Sequence, residues 1–494
     1  MTDRARWLFA DQLGPHFLDP ERPGQRVLLV ESRQVFARRR FHRAKAHLVL
    51  SALRHRAAEL GDRVDHHRVD RYADALGGRR LEVCHPTSYR ALRFVTSLPD
   101  VEVLPPRGFV TAPEDFARWA HGRDGRLLME DFYRDARRRT GVLMADDGQP
   151  VGGRWNLDAD NREPPPRGRA DLGVVAPWRP EEDEVDEQVR RDLDAWQAAG
   201  DAEFVGRDGP RRFAATREEA LAALAHFVEH RLPAFGPHED AMLAADGEMA
   251  HSQLSVPLNL GLLDPLEVVR AAEAAFDDGA APLQSVEGFV RQVMGWRDYV
   301  WHLYWHQGPA YRGLNALDAH QPVPDWLWDL DADAVTARCL STVLAQVRDT
   351  GWTHHIPRLM VLGSWALQRG VDPAELTEWF HLSFVDGYDW VMVPNVVGMS
   401  QHGDGGVMAT KPYTSGGAYI NRMSDFCKPC AYDPKVRVGE HACPFTAGYW
   451  DFMARHRERF EHNPRIARQL GTLDRLADLD ELRVMERRRG MAPP

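Results

Sequence analysis

The stretch Asn421 to Phe445, NRMSDFCKPCAYDPKVRVGEHACPF, holds three of the chain's five cysteines. Two residues separate Cys427 from Cys430, and twelve separate Cys430 from Cys443. Three thiols in range of one another lack one ligand of four. The candidates for it are Cys339, on a predicted helix, and Cys84, far away in a region of different character. Four thiolates suit a tetrahedral Zn²⁺ or an iron–sulfur cluster. Pro444 follows Cys443, as proline follows the last cysteine of the bacterial ferredoxin run. A bare C-x-x-C is also a redox motif or two packed thiols. The third cysteine and the turn residues Asp433, Pro434 and Gly439 favour a metal centre.

Around this stretch the composition is that of a globular protein of two to four domains: 494 residues, 44% hydrophobic and 27% charged. Sixty-two basic against 73 acidic residues give a net charge of −11, so no global basic field recommends nucleic acid, although a local groove is compatible with it. The start, MTDRARWLFADQLG, lacks a signal-type apolar run, and no apolar span reaches membrane length. Five cysteines build no disulfide framework. The expectation is a cytoplasmic protein with no membrane partner.

Residues 1–135 alternate strand-like and helix-like segments. Trp7–Ala10, Arg26–Glu31, Leu81–Cys84 and Val101–Leu104 read as strands, and Leu48, Val49, Ala52, Leu53 and Ala57 share one helical face. This predicts a Rossmann-like parallel sheet with helices on its faces. No G-x-G-x-x-G follows the first strand, and Cys84 reads as a small core residue. Residues 136–215, with Gly152-Gly153-Arg154-Trp155-Asn156, a triple proline and an acidic run, read as a long connector. From 216 to 494 helices dominate, over 216–231, 264–276, 285–306, 333–349, 356–369 and 373–385. Asp264-Pro265, Ser285 with Gly288, and Asp372-Pro373 mark starts. Cys339 shares an apolar face with Leu340, Val343, Leu344 and Val347, which turns it inward.

Three constellations bear on chemistry. His354 and His355 adjoin at a helix start, where one imidazole can enter a cavity and the other orient it; the plain alternative is a surface or metal-binding pair. Tryptophan is dense between Trp296 and Trp390, mostly as packing residues, with a minority available as redox stations. In FVDGYDWVMVPNVVGMSQ the acids Asp386 and Asp389, with Tyr388 and Asn395, gather where Gly387 and Pro394 break a helix. There they can pair with Arg358 and meet the polar edge of a ring system.

Together the blocks LFADQLGPHF, GGRWNLDADNR, EDAM, HSQLSVPLNLGLL, EGFVRQVMGWRDY, THHIPRLM, DGYDWVMVPNVVGMS and KPYTSGGAYINRMSDFCKPCAYDP resemble the cryptochrome/photolyase superfamily. The match is to its bacterial iron–sulfur branch, which includes the prokaryotic (6-4) photolyases. The resemblance implies an α/β antenna domain, a connector and an all-α domain enclosing FAD. Cys339, Cys427, Cys430 and Cys443 fall on the ligands of a [4Fe–4S] cluster. His354 and His355 fall on the lesion-pocket histidines, and Arg358 with Asp386 on the ion pair flanking the flavin ring. Ser252, Ser255 and Asn259 fall on the phosphate segment, Trp296 and Arg297 on a WRE-like motif, and Asp389 and Asn395 beside the ring. Trp379, Tyr388 and Trp328 match electron-supply positions. A ribityllumazine-type antenna belongs to this branch, with Glu31 and Lys45 as candidates for its site. Departures are Asp298 for glutamate, Trp301-His302 for a basic–small pair, His238 for tyrosine, and Phe380 for tyrosine.

The implied activity is light-driven repair of (6-4) pyrimidine photoproducts in UV-damaged DNA by a monomeric lyase. Excited reduced FAD supplies the electron and the histidine pair the proton. The alternative is a blue-light cryptochrome that signals through a partner.

Overall fold

The computed structural model describes residues 4–123 and 127–494. Five parallel strands form the N-terminal sheet: β1 (Ala5–Leu8), β2 (Val27–Ser32), β4 (Val64–Val69), β5 (Leu81–Cys84) and β6 (Val101–Leu104). Their order is β4-β2-β1-β5-β6. Val27 pairs with Val64 and Ser32 with Val69, while Leu81 pairs with Val101. The inner strands are covered on both faces, which is why Val27 to Val30 and Leu81 to Cys84 are near-continuous apolar runs. Cys84 is a buried core residue there. β4, VDHHRV, escapes the sequence reading because an edge strand half in water carries charged and imidazole side chains in place of an apolar alternation.

The connector is more ordered than its sequence suggests. Its acidic run is a helix start: Asp183 caps Glu184–Ala198 by accepting from the Val185 and Asp186 amides, in a reciprocal box with Asp186. That helix packs on Arg43–Leu60 of the α/β half. The pair β3 (Phe41–His42) and β7 (Phe204–Val205) adds a second seam.

Beyond residue 216 the helices form as the capping pattern dictates at Thr216, Asp264 and Asp372, whose side chains each accept a first-turn amide. Ser285 is no cap. It lies inside Leu283–Val290, where its hydroxyl accepts from the Gly236 amide. Pro394 does not end its helix either: Asp389–Val393 widens into a π-helical turn, Pro394–Ser400, whose wider hydrogen-bond spacing accommodates the missing amide. Arg291–Arg297 and Pro357–Gly363 are also π-helical. Each wide turn carries residues singled out above, Trp296 and Arg297, Arg358, and Asn395.

No helix among the described residues is long and apolar enough to cross a membrane. One core cluster unites the sheet's lower face with helices of the second half, and another surrounds Cys339, Trp365 and Trp379. The seam between the halves gathers three of the sequence departures, Asp298, Trp301 and His302. Asp298 accepts the Val110 and Thr111 amides at 2.9 Å each, the His302 Nε2 lies 3.1 Å from the Thr111 carbonyl, and Trp301 stacks on Phe109 at 3.9 Å. These three adapt one half to the other.

Candidate functional site

Four side chains converge behind the π-turn Pro357–Gly363. Arg358 grips Asp386 in a two-pronged pair, Nη1 to Oδ1 at 2.8 Å and Nη2 to Oδ2 at 3.0 Å. Ser255 donates to Asp386 Oδ2 at 2.8 Å, and Asn259 Nδ2 donates to the Asp386 carbonyl at 3.0 Å. The guanidinium lies 4.3 Å above the Phe384 ring, and Trp379 meets Phe384 edge-on at 5.9 Å. Asp386 is buried, and the two-pronged pair with the serine donor satisfies its charge. A close backbone approach shapes the loop: a Cβ on Gly387 would sit 2.8 Å from the carbonyls of Phe380 and His381.

The same arginine reaches the histidines. Arg358 Nε donates to the carbonyl of Thr353 at 2.6 Å, directly before His354. His354 is buried and His355 half-exposed, with its Nε2 3.7 Å from Asp240. Burial holds the His354 ring well below its ordinary titration range, aided by His251, His355 and Arg358. His251 is a third member that the pairwise sequence motif does not single out: it stacks on His354 at 4.1 Å and stands edge-on to His355 at 5.5 Å. Beneath them, burial raises Glu239 to about 7 despite the opposing influence of Arg291 and His355.

Other expected residues have partners elsewhere. Arg297 donates to the Gly108 carbonyl at 2.9 Å and the Leu258 carbonyl at 3.2 Å, lies over Phe109 and Trp390, and is lowered to about 10 by burial. It is a strut between the halves. Trp296 packs as a half-buried ring near Tyr299. Asp389 accepts from Arg312 at 3.1 Å, Asn395 donates back to the Val391 carbonyl at 2.8 Å, and the Ser252 hydroxyl accepts from the Leu254 amide at 3.2 Å. Trp379 is fully buried, its indole donating to the Leu327 carbonyl at 2.8 Å, next to half-buried Trp328. The Tyr388 hydroxyl is buried without a partner, with Lys45 5.4 Å from the ring centroid.

Glu31 and Lys45 have separate partners. Glu31 is buried between Arg54, at 2.9 Å, and His66, at 2.9 Å. Lys45 crosses the seam and donates to the carbonyls of His381, at 2.6 Å, and Gly387; burial lowers it to about 7 against the pull of Asp386 and Asp389.

Cys339, Cys427, Cys430 and Cys443 line one cavity with Phe426, Tyr432 and Phe445, and none forms a disulfide. Burial drives the Cys339 thiol well above its ordinary range, and neighbouring Cys443, Cys427 and Cys430 add to the rise; burial and the same crowding push Cys427 up to about 12. Crowded buried sulfurs need a cation to release their protons. The four thiols are the candidate ligands of one metal centre.

Residues 6–203 match the family model described as deoxyribodipyrimidine photo-lyase-related protein. The chain is 40% identical over 460 residues to the (6-4) photolyase of Agrobacterium fabrum (strain C58), covering 88% of each. Its fold is like that of a bacterial class III photolyase from Agrobacterium tumefaciens, with a TM-score of 0.53 at 15% identity over 81% of each chain. A Synechocystis sp. PCC6803 cryptochrome gives 0.52 at 14% identity, over 80% of this chain and 82% of that one. With a parallel-sheet half, a helical half and a curated relative spanning most of its length, the chain belongs to the cryptochrome/photolyase superfamily, on the side of the bacterial (6-4) photolyases.

Proposed function

We propose that the protein repairs (6-4) pyrimidine photoproducts in DNA under light, with FAD and a [4Fe–4S] cluster as its resident groups. The observation that carries the reading is Arg358, which pairs with Asp386 on one side and holds the Thr353 carbonyl beneath the histidines on the other. One side chain thus couples a flavin-edge ion pair to a proton-transfer group. When bound, reduced FAD supplies the excited-state electron. Ser255, Asn259, Arg358 and Asp386 would hold its ring edge, with Ser252, Trp296, Arg297, Asp389 and Asn395 in the surrounding wall. Trp379 next to Phe384, with Trp328 and Tyr388, would serve its re-reduction.

The flipped-out lesion needs a proton as its charge develops. His355 is half-exposed and faces the Asp240 carboxylate, so it is the imidazole of the pair that a lesion can reach. His354, buried and neutral, orients it. The proton passes from His355 Nε2 to the lesion and returns when the transferred group rejoins its original base. The four thiols would hold the cluster, whose place between the helix Arg338–Thr350 and the C-terminal loop suits a structural role.

The test is illumination of reduced holoprotein with separate (6-4) and cyclobutane-dimer oligonucleotides, followed by chromatography. We expect (6-4) turnover, and a loss of about a hundredfold or more in His355→Ala with flavin retained, as removal of a positioned acid implies. Flavin-loaded protein that turns over neither lesion would move the blue-light sensor reading ahead.

A further inference from the structure

His251 lies on a bend that the backbone adopts against its own preference. Two non-glycine residues with left-handed conformations flank it, Met249 (φ 46°) and Gln253 (φ 59°). Such residues are uncommon and persist where the surroundings over-determine them. Here Arg231, buried, donates to the Met249 carbonyl at 2.5 Å, to the His251 carbonyl at 3.4 Å and to the Val175 carbonyl. Gln253 is gripped by Arg179 at 2.8 Å. The arginines hold the bend from both sides, and its product is one imidazole driven inward onto His354. Phe235 stands edge-on to that ring at 5.6 Å.

The stack does not suit metal chelation, although the three histidines offer nitrogens within 4.8 Å. His251 and His354 are within 18° of parallel, so their in-plane lone pairs run side by side and do not meet at a point. It suits a different task. His251 Nε2 and His354 Nδ1 are both buried without a partner. Arg231, Arg358 and His355 surround the stack, the Glu239 backbone bonds to His251, and Asp240 faces His355.

We infer that His251 is a positioning residue of the proton-transfer group: its flat face fixes the plane of His354 against His355. The inference rests on the proton-transfer reading above and deepens it. A charge on His354 would lie beside the Arg358 guanidinium and the other two imidazoles. Burial, followed by His355 and Arg231, accordingly keeps His251 well below its ordinary range.

The test uses flavin-loaded full-length protein carrying His251→Ala and His251→Phe. Phenylalanine keeps the flat face, whereas alanine admits water beside His354. We expect Phe to stay within about twofold of the unsubstituted repair yield, and Ala to lose about tenfold as alignment relaxes. In the Ala variant His354 gains access to water and competes for the proton. The decline of repair on the alkaline side should then move to lower pH by about one unit. Histidine ¹⁵N titration, without lesion or light, should show His354 remaining neutral in the Phe variant and titrating near its ordinary range in the Ala variant. An unchanged profile and unchanged ¹⁵N titration in the Ala variant overturn the inference, whether or not the yield falls. If the unsubstituted protein repairs no (6-4) lesion, the functional reading fails while the ¹⁵N titration still decides the coupling. If alanine prevents folding, His251→Asn, which lacks the aromatic face, carries the same expectations.

Discussion

At the scale of single residues, Asp386 is the group on which most contacts depend. It accepts from Arg358 twice and from Ser255, and its carbonyl accepts from Asn259. Removing one member of a buried, hydrogen-bonded charge pair costs about 3–5 kcal/mol, because the other charge stays buried without its partner. Asp386→Ala should therefore lower bound FAD to about a tenth or less of the unsubstituted chain, where 1.4 kcal/mol is already a factor of about ten. The ratio of flavin to protein absorbance after gel filtration measures it. Full flavin content in this variant would remove the pair from the binding site.

The sequence pointed to Arg358 and Asp386 because a charge of each sign flanked a broken apolar segment. His251 was less visible. Its role depends on two strained residues and on Arg231, which comes from a different segment, and no local pattern encodes a stack between histidines a hundred positions apart in the chain.

At the scale of elements, the cysteines join the inward face of Arg338–Thr350 to the loop that precedes Pro444–Arg455. If the four thiols hold the proposed cluster, it staples the helix to that loop, and losing one ligand unties both. Cys427→Ser should give protein that is insoluble or, if soluble, lacks iron and its visible absorbance. Soluble variant with unchanged iron content would reject the ligand set. The same helix shows why periodicity succeeds: Leu340, Val343, Leu344 and Val347 are buried on the cysteine's own face. Periodicity fails at the π-turns, because the wider turn changes which residues share a face. It fails at Glu184–Ala198 because an acidic run at a helix start answers the local dipole while resembling a solvated linker.

At the scale of the whole molecule, the two halves are joined by buried polar contacts at one seam. Asp298 accepts two backbone amides from the 105–112 loop and is almost fully buried. In Asp298→Ala both amides lose their acceptor, a cost of about 3 kcal/mol for hydrogen bonds to a charged group. Their hydrogen exchange should accelerate by roughly a hundredfold, read at Val110 and Thr111 in the native protein. Unchanged protection there would mean that Asp298 does not join the halves. Lys45 crosses the same boundary to the loop before Tyr388. The site is thus braced partly from the α/β half.

The sequence by itself determined the parallel-sheet half, the helical half, the Cys427–Cys430–Cys443 loop and the superfamily, because each rests on local spacing: alternation in strands, 3.6-residue periodicity in helices, and short motifs in fixed order. Only the tertiary structure decided which members of those motifs meet. It sent Arg297 and Asp298 to the seam, carried Lys45 across it to the loop before Tyr388, brought Cys339 into one cavity with the other three thiols, and brought His251 onto His354. The physical reason is that a motif specifies which groups are present. Burial, charge pairing and backbone strain, which arise from distant segments packing together, determine where each group finds its partner.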